Sequence, residues 1–375
     1  MAAKTSQQFC SKPDLIRQEY KRYKRKKPPP DFSEVIDFND PQTFQGKVSE
    51  WPLKSLPHSD FGLKCARQWR AYHLDCRPGL IFIVNPFVSG AQHYWARRCL
   101  EDFPRKPNIS NLDAHMSIGD DDCIWALSNS GSSEHVNLID RLRWVHLGYQ
   151  FDYNVVDYKP EKYYGFPKDL GGLMHHLAEA IGYLGYTPEA GIVNYYPLSA
   201  SMGGHTDHYE LDLSWPLISV SFGQSAVFLI GGKTKDVKPT ALYIRSGDIL
   251  VMSGEARLAF HAVPRIIQVQ TKDNIPEGLT WSHGMLPEEQ KTHMWTTTAR
   301  SVTTKTHDGE QDTTEQKSYK DSCCNPKAFL TQSPPMTEEE WLPFAKYLSR
   351  TRINVNVRQV HSLGTTVNSP LPKDE

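Results

Sequence analysis

Residues 203–212 read GGHTDHYELD, and His205-Thr206-Asp207 within them sets an imidazole and a carboxylate two residues apart. In an extended strand, residues i and i+2 point to the same side, so this pair can offer two ligands to one metal ion. A His-x-Asp triplet alone carries little weight. The chain has 15 histidines, and the pattern also occurs at His58-Ser59-Asp60 and His73-Leu74-Asp75. The third triplet is distinguished by its company. His261, in LAFHAVPR, lies in a later apolar stretch of strand character. By itself it reads as a core histidine. Taken with His205 and Asp207 it completes a set of two imidazoles and one carboxylate, a facial arrangement that leaves positions open on Fe(II) for oxygen activation. A bidentate 2-oxo acid suits two of those positions, and dioxygen suits the third.

An acid of that kind needs a cation at its far end. The stretch RINVNVR alternates, with Arg352, Asn354, Asn356 and Arg358 on one face and Ile353, Val355 and Val357 on the other. Arginines turned into a barrel are costly unless they meet an anion. The same pattern also fits an edge strand with a solvated polar face. GIVNYYPL adds Asn194 and Tyr196, again two apart, as hydrogen-bonding groups for carboxylate or keto oxygens.

These residues need strands to hold them. After residue 186 come AGIVNYYPL, PLISVSFG, SAVFLIGG, TALYIRSG, DILVMSG and LAFHAVPRI, each short, β-branched or aromatic, and closed by a turn residue. That rhythm predicts an antiparallel sandwich or barrel over 186–360. Residues 270–335 are rich in Thr, Lys, Gln, Glu and Ser and read as a disordered insertion in it. Order resumes at Thr337, which with Glu340 offers a capping box for a helix. Residues 361–375 read as a tail. Before the strands, 31–185 reads as helix-rich. It holds a strand at 79–87, a helix after Ser89 as cap, and helices at 135–145 and 170–185. Residues 1–30 read as a basic helical or disordered arm that stops at three prolines.

The bulk properties bound the class. The 375 residues are 39% hydrophobic and 23% charged, with a net charge of −1. No apolar run approaches the roughly 18 residues of a membrane span, and the first residues lack the apolar core of a secretory signal. Seven scattered cysteines, an odd number, point to a reducing compartment. Charge is concentrated at residues 21–27, KRYKRKK, six positive residues in seven. Such a run serves as a solvated arm, a phosphate-binding tail or a nuclear import signal. The acid-poor start also suits a mitochondrial presequence, so the expected location is nucleus, mitochondrion or both.

The segments NYYPLSASMGGHTD, SFGQSA, GDILVMSGEARLAFHAVPR and RINVNVR, in this order and spacing, resemble the AlkB family of Fe(II)/2-oxoglutarate dioxygenases. The resemblance extends through GLIFIVNPF, KPNISNLDAHMS, LRWVHLGYQFDY and FPKDLG. It implies an α+β protein with a mainly β core, a double-stranded β-helix (jelly roll) with flanking N-terminal helices. It implies iron at His205, Asp207 and His261, which are also the catalytic residues. It implies 2-oxoglutarate contacts at Asn194, Tyr195, Tyr196, Arg352, Asn354 and Arg358, with Arg352 on the distal carboxylate and Arg358 near the chelating end. LGYQFDY looks like the family's nucleotide-recognition lid, so Tyr149, Gln150 and Phe151, with Trp125, become candidate substrate contacts. Where the bacterial founder has an acid two places after the aspartate ligand, this chain has Tyr209, followed by Glu210.

The implied reaction uses Fe(II), 2-oxoglutarate and O2 to oxidise a methyl group on a nucleobase nitrogen, releasing formaldehyde, succinate and CO2. The implied partner is nucleic acid, single-stranded or with a flipped base: methyladenine or methylcytosine in tRNA, or N-methyladenine in DNA. Two other readings share these residues. One is a protein hydroxylase or demethylase using the same site, and the other is a non-catalytic nucleic-acid-binding jelly roll.

Overall fold

The computed structural model describes residues 12–57, 59, 61–152, 157–281 and 336–362. The N-terminal part supplies six strands: β1 (Val48–Glu50), β2 (Arg70–Leu74), β3 (Leu80–Val84), β4 (Ile109–Ser110), β5 (Trp144–Asp152) and β6 (Asp157–Tyr163). Eight more follow: β7 (Ala190–Pro197), β8 (Met202–His205), β9 (Leu217–Gly223), β10 (Ser225–Ile230), β11 (Thr240–Ile244), β12 (Ile249–Met252), β13 (His261–Ile267) and β14 (Thr351–Arg358). The helices are α1 (Leu15–Lys24), α2 (Pro41–Phe44), α3 (Ala91–Arg97), α4 (Ile124–Ser128), α5 (Lys168–Ala180) and α6 (Glu338–Leu348).

The strands form two sheets. The larger runs β1-β2-β3-β12-β9-β14-β7-β5-β4, with β6 paired to β5, and the smaller runs β11-β10-β13-β8. From β7 onward the chain passes back and forth, so that β7, β9, β12 and β14 lie in one sheet and β8, β10, β11 and β13 in the other. With every strand pair antiparallel, this is the double-stranded β-helix that the family resemblance implies. Gly223 makes one of the crossings possible. Its φ is +79°, and a Cβ there would lie 2.2 Å from the Thr351 carbonyl oxygen.

The side-chain period of two explains why strands that look uniformly apolar still divide inside from outside. On β12, Ile249 and Val251 join the core beneath the helices, while Leu250 and Met252 face the space between the sheets. On β14, Ile353, Val355 and Val357 join the helix-side core. Arg352, Asn354, Asn356 and Arg358 line the cavity between the sheets. That helix-side core holds Leu173, Met174 and Leu177 of α5 and Trp341, Phe344 and Leu348 of α6. α6 starts with the predicted capping box, Thr337 and Glu340 each bonding the other's backbone N–H.

Several expectations are corrected. The basic arm is not solvated along its length. α1 is capped by Asp14 and buries Ile16 and Tyr23 in a cluster with Val227 and Leu229 of β10 and Ala262 of β13. It ends at Lys24, ahead of the prolines, where Arg265 donates to the carbonyls of Tyr23 at 2.8 Å and Lys24 at 3.3 Å. Residues 31–185 are not mainly helical, because they build six of the ten strands of the larger sheet. The helix expected at 135–145 is short 3-10 turns that lead into β5, whose alternating Trp144, His146 and Val145, Leu147 suit a strand. Ser89 does not cap α3. Gly90 occupies that position at φ +83°, without a side-chain bond. The proposed insertion begins later than residue 270, since Leu279 is fully buried and Trp281 packs against the core. Residues 282–335, and the tail beyond 362, lie outside the described residues.

Candidate metal and cosubstrate centre

The cavity between the sheets has a volume of about 320 Å³. His205 is the last residue of β8 and pairs in register with His261, the first of β13. Asp207 lies in the loop just past β8 rather than on the strand, so the two-residue spacing works through a strand end. Candidate ligand atoms of His205, Asp207 and His261 all lie within 4.8 Å of one another, and these three are the only such group of His, Cys, Asp or Glu among the described residues. The two imidazole rings are 4.3 Å apart. Of the other two triplets, His73 and Asp75 make only a 3.9 Å contact with each other, and His58 and Asp60 lie outside the described residues.

The backbone sets the histidine tautomers. Nδ1 of His205 lies 2.9 Å from the Gly203 carbonyl oxygen, and Nδ1 of His261 lies 3.1 Å from that of Ala259. A carbonyl only accepts, so each Nδ1 carries the proton and each Nε2 keeps its lone pair for a metal. Burial, with His205 alongside, lowers the His261 pKa to about 4, which keeps this ring neutral at ordinary pH. Burial by itself would raise the Asp207 pKa, but Arg358, His261 and His205 outweigh it and hold the carboxylate well below its usual range. Two imidazoles with Nδ1 turned to backbone carbonyls and an ionised carboxylate on one cavity wall suit a divalent cation.

The expected cosubstrate residues divide by strand parity. β14 is an inner strand paired on both sides, with β7 and with β9, so the solvated-edge reading of its polar face fails. Arg352 is 2% exposed. Its Nη2 donates to Ser221 Oγ at 2.9 Å, while its Nε and Nη1 are buried without a hydrogen-bond partner. Burial lowers its pKa to about 10. A buried guanidinium with two idle donors facing a cavity fits a carboxylate, which accepts two parallel bonds. Asn194, Tyr196 and Asn354 also line this cavity, with the Arg352 guanidinium 5.3 Å from the Tyr196 ring centre. Asn354 Nδ2 donates to Ser219 Oγ at 2.7 Å. Tyr195 does not belong with them. Between two inward neighbours it points outward, and its hydroxyl donates to the Cys99 carbonyl at 2.5 Å in the helix-side core.

Of the substrate candidates, Phe151 lines the cavity and Tyr149, Gln150 and Trp125 do not. Tyr149 packs on Tyr163 and His361, with ring centres 4.5 and 4.9 Å away. Gln150 is buried. Trp125 sits in the helix-side core, stacked on Phe344 at 4.4 Å. β5 bends at Gly148, which has φ +70° and leaves 2.1 Å between a built Cβ and the Glu189 carbonyl oxygen. Beyond it, β5 and β6 form a hairpin that brings Phe151 and Tyr158 to the cavity. Trp144, Tyr209 and Phe228 also line the cavity, with the Tyr209 ring 5.0 Å from that of Phe151.

Sequence reasoning missed three residues under the metal end. Glu210 accepts from Arg358 Nη1 at 2.9 Å and from Arg257 Nη2 at 2.5 Å, and Arg257 also donates to the Asp207 carbonyl. Tyr158 donates to the same Glu210 carboxylate. Glu210 and Tyr209 stand out in sequence as a departure from the bacterial founder, and Arg257 lies four residues before His261. Only the fold reveals that they meet.

Comparison with known proteins agrees with this geometry. The model of the 2OG-Fe(II) oxygenase superfamily matches residues 79–358. The mouse protein named nucleic acid dioxygenase ALKBH1 is 36% identical over 94% of this chain and 85% of its own. The fission yeast Schizosaccharomyces pombe protein named tRNA demethylase abh1 is 35% identical over 71% of this chain and 89% of its own. The Arabidopsis thaliana protein named DNA N(6)-methyladenine demethylase ALKBH1A is 33% identical over 66% and 79%. The chain therefore belongs to the 2OG-Fe(II) oxygenase superfamily, as a dioxygenase that uses Fe(II), 2-oxoglutarate and O2.

Proposed function

We propose that the protein is an oxidative demethylase of N-methylated bases in tRNA or DNA. In this reading His205, Asp207 and His261 hold the iron, and Arg352 anchors the distal carboxylate of 2-oxoglutarate. One observation carries it. A three-ligand metal face and a buried guanidinium with two idle donors line the same cavity, and aromatic side chains line it as well. The names of the relatives, a nucleic acid dioxygenase, a tRNA demethylase and a DNA N(6)-methyladenine demethylase, support the substrate class.

When bound, Fe(II) with 2-oxoglutarate and O2 supplies the oxidation of a substrate methyl group, coupled to decarboxylation of the 2-oxo acid. The protein's residues position and protect. Arg352, with Ser221 beneath it, orients the cosubstrate along β14. Asn194, Tyr196 and Asn354 offer hydrogen bonds along its length. Arg358 stays beside Asp207 Oδ2, at 3.6 Å, and keeps that carboxylate ionised. A base inside a duplex cannot reach the metal face, so it enters unpaired or flipped. Phe151, Tyr158, Tyr209 and Trp144 give it apolar faces to lie against and exclude water.

The test is succinate and formaldehyde release across a panel of methylated tRNA, DNA and histone-peptide substrates, with Asp207→Ala as control. The expected result is release on a nucleic acid substrate that falls at least about a thousandfold in the control. Release on peptides alone, or unchanged release in the control, contradicts the proposal.

A further inference from the structure

The buried carboxylate of Glu210 serves four parts of the molecule. It belongs to the loop that carries Asp207. It receives Arg358 from β14, Arg257 from the turn before β13, and, at 3.2 Å, the hydroxyl of Tyr158 from β6. Arg257 and Arg358 in turn hold the Asp207 carbonyl and side chain. Two guanidinium groups thus face two carboxylates, and Glu210 has no side-chain exposure. Such a set tolerates little displacement, because moving one member leaves another charge unmatched in a dry site.

Tyr158 is the odd member. It is neutral, and it lies on a strand whose partner among the described residues is β5. The outer hairpin also packs through a small cluster of Tyr149, Tyr158, Ala190 and Val360, with Phe151 against it, and through ring contacts of Tyr149 with His361 and of Phe151 with Tyr209. Across the hairpin Tyr158 pairs in register with Phe151, their rings 5.2 Å apart. The residue that lines the cavity mouth therefore rests on the residue that reaches Glu210.

We propose that Tyr158 is a positioning residue, a latch whose hydroxyl on Glu210 ties the β5–β6 hairpin to the loop that carries Asp207. The placement of Phe151 and Tyr158 at the cavity and the setting of Asp207 are then coupled. The inference rests on reading Asp207 as a metal ligand and the cavity mouth as the base site, but its first test depends on neither.

Tyr158→Phe keeps the ring and removes the hydroxyl. Hydrogen–deuterium exchange of the full-length, metal-free protein is expected to speed up by about tenfold at hairpin amides in 149–152 and 157–163, with β7 and β14 unchanged. The second readout is coupling. In the iron-loaded variant, succinate formed per formaldehyde released rises several-fold, because a loosened hairpin lets the cosubstrate turn over without a seated base. Unchanged hairpin exchange overturns the latch whatever the enzyme demethylates. So does faster exchange in β7 and β14 to the same degree, since Tyr158 is then an ordinary core residue. Faster hairpin exchange with an unchanged succinate-to-formaldehyde ratio overturns its link to the metal loop.

Discussion

Two arginines six residues apart on β14 face the same cavity and live in opposite circumstances. Arg358 meets Glu210 at 2.9 Å and Asp207 at 3.6 Å, and these with Tyr158 raise its pKa well above the ordinary value although burial opposes them. Arg352 faces no carboxylate among the described residues, keeps two idle donors, and has its pKa pulled down to about 10 by burial. The metal end of the strand has its charges matched, although Arg358 Nε, like Arg257 Nε, is buried without a hydrogen-bond partner among the described residues. The far end is a buried cation without an anionic partner among the described residues, which costs stability until an anion arrives. An anionic ligand would offset that cost, so the contrast assigns one end to holding structure and the other to recognition.

The largest expected effect breaks the completed end. Glu210→Ala strands Arg257 and Arg358 without their shared partner, and it lowers unfolding free energy by about 3–5 kcal/mol in urea titration. Next comes repair of the open end. 2-Oxoglutarate at a hundred times its Kd, with iron and without oxygen, stabilises the wild type by about 2.7 kcal/mol and leaves Arg352→Leu unmoved. In the absence of ligand the order reverses. Arg352→Leu, which removes a lone buried charge, unfolds at higher urea than the wild type, by about 1–3 kcal/mol. An equal loss of stability in both arginine-end variants would erase the distinction.

The smallest effect is in acid. Burial alone would raise the Glu210 pKa, but Arg358 and Arg257 outweigh it and hold it below the usual carboxylate range. The folded state therefore binds this proton less readily than the unfolded chain. The stability Glu210 contributes is full above the unfolded pKa, about 4.3, and is lost as pH falls through the lower folded value. Glu210→Gln makes the acid limb of a stability profile shallower below about pH 4, while Arg352→Leu leaves that limb as it is.

Legibility in the sequence follows the same division. β14 was readable because its alternation is strict over seven residues, and its inward face fixes Arg352, Asn354 and Arg358 at once. The metal triad was readable because a two-residue spacing and a second histidine on a strand need only the right pairing, which β8 and β13 supply. Tyr195 shows the limit of naming by segment. It stands between two cavity residues, and parity sends it to the other face. Trp125 was misplaced for a different reason. Nothing local distinguishes an aromatic that faces a ligand from one that stacks on Phe344 under the helices. The Glu210 cluster joins residues 158, 210, 257 and 358, and its members carry no shared period. The helix expected at 135–145 runs into the start of β5 because Leu and Arg favour a helix while Trp and Val favour a strand, and pairing with β7 decides the matter.

The most direct test of the central claim is an anaerobic Fe(II) titration of the wild type, His205→Ala, Asp207→Ala, His261→Ala and Arg352→Leu, each followed by 2-oxoglutarate. The account predicts one tight iron per chain in the wild type and in Arg352→Leu, its loss in each of the three ligand variants, and a 2-oxoglutarate response in the wild type alone. Tight iron retained without His205, Asp207 or His261, or 2-oxoglutarate binding unaffected by the loss of Arg352, would contradict it.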